Sequence, residues 1–323
     1  MFKITLTSLI ALFISLSLSA QINESIKQTV INYPKSISNY EKLAKRINSD
    51  YKTNREKASA IYVWITHNIA YDVPAANANI KPKSYSYRTQ EEKLEIEAKY
   101  NHKIITKVFK KHKAICDGYS RLFKTLCDLN DIECVIISGT SKTTTNDIGK
   151  LPKRSDHAWN AVKLDGKWEL IDATWGAGSV NAQSNKFTQD YDETYFCTAP
   201  ELFFLKHFPD DEQWLLVKRN EKDFANLPLY YSSAINSNIQ IIKPNNGVIE
   251  KVKGDAIQFT INSDTEISKL SYAFSKDKYS TKLKTKYNKG KTSFSIPIKN
   301  IKRGYLTLYH NNKSIVAYKI NLK

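Results

Sequence analysis

The pair Asp165-Gly166 lies between two short runs rich in apolar residues, Ala158 to Leu164 and Trp168 to Ala173. Runs joined in this way form a two-residue hairpin, because both turn residues tolerate positive φ. With the turn there, Leu164 faces Lys167, Trp159 faces Asp172 and His157 faces Thr174. Side chains alternate along a strand, so His157 and Asp172 become diagonal neighbours on one face, roughly 7 to 8 Å apart. At that separation a carboxylate reaches an imidazole and holds its tautomer. A four-residue loop keeps the register, whereas a three-residue loop puts the two side chains on opposite faces.

Upstream, Tyr119, Leu122, Phe123, Leu126 and Leu129 recur at helical spacing, with Gly118 near the start and Asn130 near the end. The spacing predicts a helix whose N-terminus falls at or just after Cys116. Free backbone N–H groups and the positive end of the helix dipole favour a thiolate there and donate to a developing oxyanion. The run Lys110-Lys111-His112-Lys113 adds charge of the same sense if one of its side chains turns toward the sulfur. Cys116, His157 and Asp172 therefore stand in the chain order of a cysteine-nucleophile triad. The competing reading is structural, since the four cysteines also suit packing or disulfide roles.

The residues around these three resemble the catalytic blocks of the transglutaminase-like (papain-related) superfamily. The blocks are Ala114-Ile115-Cys116-Asp117-Gly118-Tyr119-Ser120-Arg121-Leu122-Phe123, Asp156-His157-Ala158-Trp159-Asn160-Ala161-Val162 and Leu170-Ile171-Asp172-Ala173-Thr174-Trp175-Gly176. A fourth block, Arg55 to Ala58 leading through Ile61-Tyr62-Val63-Trp64-Ile65 to Asn68-Ile69-Ala70-Tyr71-Asp72, is similar to the helix that opens this core. The Asp-Ala-Thr-Trp-Gly run and the tail from Tyr195-Phe196 to Trp214 look most like the kyphoscoliosis-peptidase-like branch. The resemblance covers about residues 50 to 220 and implies Cys116 as nucleophile, His157 as general base and acid, and Asp172 as orienter. It also implies an α+β core of helices packed on an antiparallel sheet, acting on protein or peptide amide bonds. The Gly-Gln-Cys-Trp context of calcium-dependent tissue transglutaminases is missing around Cys116, which counts against crosslinking and calcium activation. Tyr85 and Tyr87 lie upstream where an oxyanion donor is sought, but in a Lys-Pro-Lys-Ser loop they read as surface residues.

A chain of 323 residues with 41% apolar content buries a sizeable core and holds about two domains. Residues 1–20 read as a signal peptide: Lys3, an apolar stretch from Ile4 to Leu18, then Ser19-Ala20 before Gln21. That stretch is shorter than the ~20 residues of a membrane span. The mature protein is thus expected to be exported, whether periplasmic, cell-surface or secreted, with no integral span. Leu18 fits poorly at its position before the cut, and an uncleaved anchor is the alternative. In an oxidising compartment thiols pair, and Cys127 and Cys134 are the neighbours by sequence, either bridged or buried free. A bridge to Cys116 would silence it.

A catalytic domain is expected over 21–230. Thr53 and Glu56 form a capping box for a helix with Ala58, Ile61, Trp64, Ile65 and Ile69 on one face, and residues 90–113 read as a charged helix. The polar connection 140–155, directly before His157, reads as the mobile rim of a cleft or as plain surface loop. Pro228 and the Ser232-Ser233 to Asn238 run read as a linker. Residues 236–323 then carry short alternating runs that predict a small all-β sandwich of immunoglobulin-like size. This segment holds 17 Lys and Arg against 5 Asp and Glu, so most of the net charge of +17 sits there. Such a field attracts an anionic cell-surface glycan, against the alternative of a merely solvated Lys-rich face. No nucleic-acid motif accompanies the charge, and no Cys or His pair stands at metal-ligand spacing, so neither nucleic acid, metal nor cofactor is expected.

Two functions stay open on sequence. One is an exported cysteine enzyme working through a thioester, more in keeping with hydrolysis, as a peptidase or deamidase, than with crosslinking. The other is a weak or inactive fold of the same kind, serving as a surface-binding or scaffolding module.

Overall fold

The computed structural model describes residues 21–78, 86–153, 155–181, 183–237, 239–252, 254–263, 265–298 and 301–322. The expected signal peptide and Tyr85 lie outside the described residues. Among the described residues no helix is long and apolar enough to cross a membrane.

The helix Asn54–Asn68 lies at the centre of the first unit. Its capping box is complete: Thr53 accepts the Glu56 N–H through its side chain, and the Glu56 carboxylate accepts the Thr53 N–H at 2.9 Å. The expectation of a single apolar face is corrected, because every residue from Ala58 to Thr66 is buried. The helices Glu24–Ile31, Tyr40–Asp50, Cys116–Asp128 and Ala173–Gly176 enclose it. A helix surrounded on all sides has no solvent face to keep polar. The charged helix Gln90–Lys111 docks through Ile105, Val108 and Phe109, while Leu94 stays exposed.

Two residues after that helix, Lys113–Ala114 pairs in parallel with Ala70–Tyr71, and the chain turns into the helix Cys116–Asp128. Gly118 makes the close approach there possible: a Cβ at this position would stand 2.8 Å from the Ala114 Cβ. Behind the helix runs a four-stranded antiparallel sheet, ordered Lys167–Ile171, His157–Leu164, Cys134–Ser141, His207–Pro209. The hairpin turn is as expected, with Asp165 at φ 52° and Gly166 at φ 78° and with Leu164 facing Lys167. Arg55 ties this turn to the central helix through Asp165 at 2.8 Å and Glu169 at 3.4 Å. One detail differs. The strand ends at Ile171, and Asp172 caps the helix Ala173–Gly176, so Thr174 does not continue the ladder opposite His157.

Residues from Leu229 onward form an all-β unit of two sheets. One orders Gln240–Lys243, Ala256–Asn262, Lys291–Pro297 and Lys286–Asn288; the other orders Val248–Ile249, Lys313–Asn321, Arg303–His310, Leu270–Phe274 and Thr281–Lys282. Phe259, Ile261, Phe294, Ile296, Leu306, Leu308 and Tyr318 form its core. The stretch read as a linker is built into this unit: Leu229–Tyr230 pairs with Lys313–Asn321, and Ser232–Asn236 is a short helix.

The connection before His157 is pinned rather than a mobile rim. Lys142 is buried, and its Nζ donates to the carbonyls of Phe224 at 2.7 Å, Ala225 at 3.3 Å and Leu227 at 3.0 Å. Ile148 packs in one apolar cluster with Leu229 and Ala317, and the Tyr305 hydroxyl donates to Asn146 Oδ1 at 2.9 Å. A polar sequence concealed this, because one lysine stem and one isoleucine do the anchoring.

Candidate active site

Cys116 is the first residue of its helix, so its backbone N–H is one of the donors that no helical carbonyl satisfies. Its side chain is half-exposed, while Cys127, Cys134 and Cys197 are buried. All four thiols are free. Cys127 and Cys134 lie thiol against thiol, as the sequence allowed, without a bridge. Lys110, Lys111 and Lys113 are exposed, and His112 turns its ring to the Asn68 carbonyl at 3.1 Å.

His157 opens its strand and is buried. Its Nε2 lies 2.7 Å from Asp172 Oδ2, the diagonal pairing that the hairpin register predicts. With Nε2 so occupied, Nδ1 is the ring nitrogen left for Cys116, whose charge favours the protonated ring. Asn160, on the same strand, holds the helix that begins at Cys116 in place by donating to the Ser120 carbonyl at 3.1 Å. The structure thus brings Cys116, His157 and Asp172 together from three separate elements.

Asp172 is fully buried, and four donors converge on it. Oδ1 accepts the backbone N–H groups of Thr174 at 2.9 Å and Trp175 at 3.0 Å; Oδ2 lies against His157 Nε2 and, at 3.0 Å, His207 Nε2. Burial alone disfavours its charge, but the His157 ring outweighs that and holds the carboxyl well below the usual carboxylate range. Burial likewise works against a charged His157. Asp172 and then Cys116 overcome it and raise the ring to about 10. An imidazolium facing the sulfur pairs with a thiolate and can return a proton to a leaving group.

Sequence reasoning missed two residues. His207 is buried, stacks on Phe203 at 3.8 Å between ring centroids, and also faces the Phe203 carbonyl through Nδ1 at 3.2 Å. Burial pushes it down to about 4 despite Asp172. Gly139 permits its approach: this residue pairs with both His157 and Pro209, and a Cβ there would stand 2.3 Å from the Phe208 carbonyl oxygen. Tyr71 is the second. The parallel bridge to Lys113–Ala114 carries it toward Cys116, and burial, then the charges of Cys116 and Asp172, push its phenol up to about 12. It therefore remains an O–H donor near the sulfur. Tyr87 is exposed, with the Lys93 Nζ 5.5 Å from its ring centroid, away from this chemistry.

Trp175 stacks on His157 at 5.0 Å and 20°, and the Lys206 Nζ lies 4.2 Å from the Trp175 ring centroid. These rings shield the imidazole on one side. His157, Asp172 and His207 are the one group among the described residues with the make-up of a metal site. Their contacts are instead those of a hydrogen-bonded series, and a metal would have to displace the Nε2 protons of both imidazoles, one of them held charged to about pH 10.

Comparison with known proteins places this geometry in a family. Residues 41–173 match the sequence profile of the Transglutaminase-like superfamily. These residues belong to that superfamily. Over 257 residues the chain is 32% identical to the kyphoscoliosis peptidase of Mus musculus, covering 77% of this chain and 35% of that protein. Against the kyphoscoliosis peptidase of Homo sapiens it is 34% identical over 226 residues, covering 68% and 31%. The chain thus spans about a third of the length of these relatives. Among solved structures, the periplasmic domain of TgpA from Pseudomonas aeruginosa is similar at 12% identity, with 48% of each chain covered and a TM-score of 0.30. In the transglutaminase-like core the nucleophile helix ends inside the matched stretch, and His207 lies beyond it.

Proposed function

We propose that this chain is an exported cysteine enzyme that opens amide bonds of proteins or peptides through a thioester on Cys116. The observation that carries this reading is the buried Asp172 carboxylate 2.7 Å from His157 Nε2, with the partly exposed Cys116 at the start of its helix beside the same ring. In the proposed reaction the Cys116 thiolate attacks the amide carbonyl, and the developing oxyanion is met by the backbone N–H at the start of the helix. His157 protonates the departing amine and then takes a proton from the acceptor that cleaves the thioester. Water as acceptor makes the reaction hydrolysis. The sequence Ala114-Ile115-Cys116-Asp117 in place of the tissue-transglutaminase context, and likeness to proteins named as peptidases, support hydrolysis over crosslinking. Export rests on the character of residues 1–20.

The test is mass spectrometry after brief treatment with iodoacetamide near neutral pH, comparing the wild type with His157→Ala and mapping the modified residue. Rapid labelling of Cys116 that His157→Ala slows is the expected result. Equal labelling in both proteins would overturn the reading and favour a binding or scaffolding role.

A further inference from the structure

The strand Leu270–Phe274, the loop after it and the segment Ile301–Arg303 enclose an open groove of about 1290 Å³ on the all-β unit. It lies in a different unit from Cys116 and plays no part in the chemistry above. Pockets for small molecules run to about 300–1,000 Å³, so a space of this size suits a chain of linked units better than a single small ligand.

Four cations line it: Lys276, Lys278, Lys302 and Arg303. The one acid among the lining residues, Asp277, is turned back on its own loop, where Oδ2 accepts the Phe274 N–H at 2.9 Å. Among the described residues none of the four cations forms an ion pair with a carboxylate. Among the described residues the groove therefore holds a concentration of like charge that no ion pair neutralises. An anion entering it relieves that repulsion, and its concave walls strengthen the field on the ligand.

The second observation is Tyr279. At 75% exposure it is the most exposed of the large apolar side chains described, and the Lys278 Nζ stands 5.5 Å from its ring centroid. Tyr272 and Phe274, edge to face at 5.8 Å, are buried beneath the same groove, so Tyr279 is set apart from the sheet packing that explains its neighbours. A bare aromatic ring offers a flat apolar platform with an adjacent cation, the combination that receives the C–H face of a sugar and the acidic group attached to it. Single-stranded nucleic acid is met by a succession of exposed rings on which bases stack in turn. Here one ring is exposed and the partners around it are cations.

We propose that this groove binds an acidic polysaccharide, with Tyr279 stacked on one sugar ring and Lys276, Lys278, Lys302 and Arg303 taking the carboxylates of that unit and its neighbours. Charge complementarity selects the acid, and the exposed ring selects the sugar over other polyanions.

The experiment is isothermal titration calorimetry on the purified protein. The probes are oligogalacturonate, neutral dextran, poly-glutamate of matched length and a single-stranded oligonucleotide. The expected result is binding of oligogalacturonate that weakens about tenfold in Tyr279→Ala, the loss of one stacked ring. Arg303→Ala should also weaken it and flatten its salt dependence. Tyr279 is solvent-exposed, so its replacement leaves the fold in place, and unchanged iodoacetamide labelling of Cys116 serves as the check. Failure of oligogalacturonate to bind would overturn the proposal. So would binding of dextran with equal strength, or binding of poly-glutamate or the oligonucleotide as tightly with no response to Tyr279→Ala, since that marks an unspecific basic surface. All of these readouts are independent of whether Cys116 is catalytic.

Discussion

Replacing Asp172 by Asn changes one atom and removes one charge, and the surroundings of this side chain decide the outcome. Two backbone N–H groups point at Oδ1 and two imidazoles at Oδ2. The Asn carbonyl must stay with Thr174 and Trp175, because turning the NH₂ toward them sets donors against donors. The NH₂ then faces Nε2 of His157 and donates to it. That nitrogen becomes an acceptor, and the single proton of a neutral ring moves to Nδ1, where it faces the sulfur. The ring can no longer accept a proton from the thiol. The electrostatic loss points the same way. Asp172 is the largest of the influences raising His157 from 6.5 to about 10, and a shift of that size corresponds to about 4–5 kcal/mol in favour of the charged ring. Cys116 labelling by iodoacetamide at neutral pH is therefore expected to fall by about ten- to thirtyfold, since an ordinary thiol is only a few per cent ionised at about pH 7 while one paired with an imidazolium is almost wholly thiolate. Nitrogen NMR of His157 supplies the direct readout, two protonated ring nitrogens in the wild type and one in Asp172→Asn. A labelling rate within about threefold of wild type, with the variant folded, would refute the argument, as would a doubly protonated His157 in the variant.

Further tests bear on stability. His207, held near 4 in the folded protein, takes up a proton in the unfolded chain at about 6.5, so stability is expected to drop by about 3 kcal/mol as pH falls from about 6.5 to 4. His157 acts in the opposite sense: its contribution is complete below about 6.5 and is lost as pH rises toward 10. His207→Gln keeps a donor for Asp172 but removes the acid-side titration, so its melting temperature should depend less on pH between 7 and about 4.5; an unchanged slope would count against this assignment. Lys142→Met leaves the Leu227 carbonyl without its donor, while the Phe224 and Ala225 carbonyls keep the Leu227 and Gly149 N–H groups, and should cost about 2 kcal/mol in urea unfolding. A loss under about 1 kcal/mol would show that water replaces the amine there.

What the sequence made legible was local. Asp165-Gly166 set the hairpin register and with it the His157–Asp172 pairing, and the apolar repeat after Cys116 located the helix start. Thr53 and Glu56 announced their helix in the same way. What stayed hidden depended on contacts between distant residues. His207 reaches Asp172 from 35 positions away, and no period or spacing announces a buried histidine on a three-residue strand. Tyr71 comes to Cys116 only through a two-residue parallel bridge, too short to leave a pattern. The enclosure of Asn54–Asn68 was illegible for a related reason: the apolar positions mark one face, and the buried Ser59 and Thr66 satisfy their hydroxyls on their own helix's carbonyls.

The pinning of the segment before His157 ties the candidate site to a distant part of the chain. Ile148 finds its apolar partners in Leu229 and Ala317, and Asn146 finds its donor in Tyr305. The helix that begins at Cys116 and the hairpin at Asp165-Gly166 lie far earlier in the chain than Tyr305 and Ala317. Part of the approach to His157 therefore rests on Tyr305, 159 positions from Asn146, and part on the nearer Lys142 anchors at Phe224, Ala225 and Leu227. A chain cut before Tyr305 would keep Cys116, His157 and Asp172 but lose part of the frame that holds the last stretch before the imidazole. A substitution in the all-β unit is thus expected to loosen the candidate site without touching any of its residues.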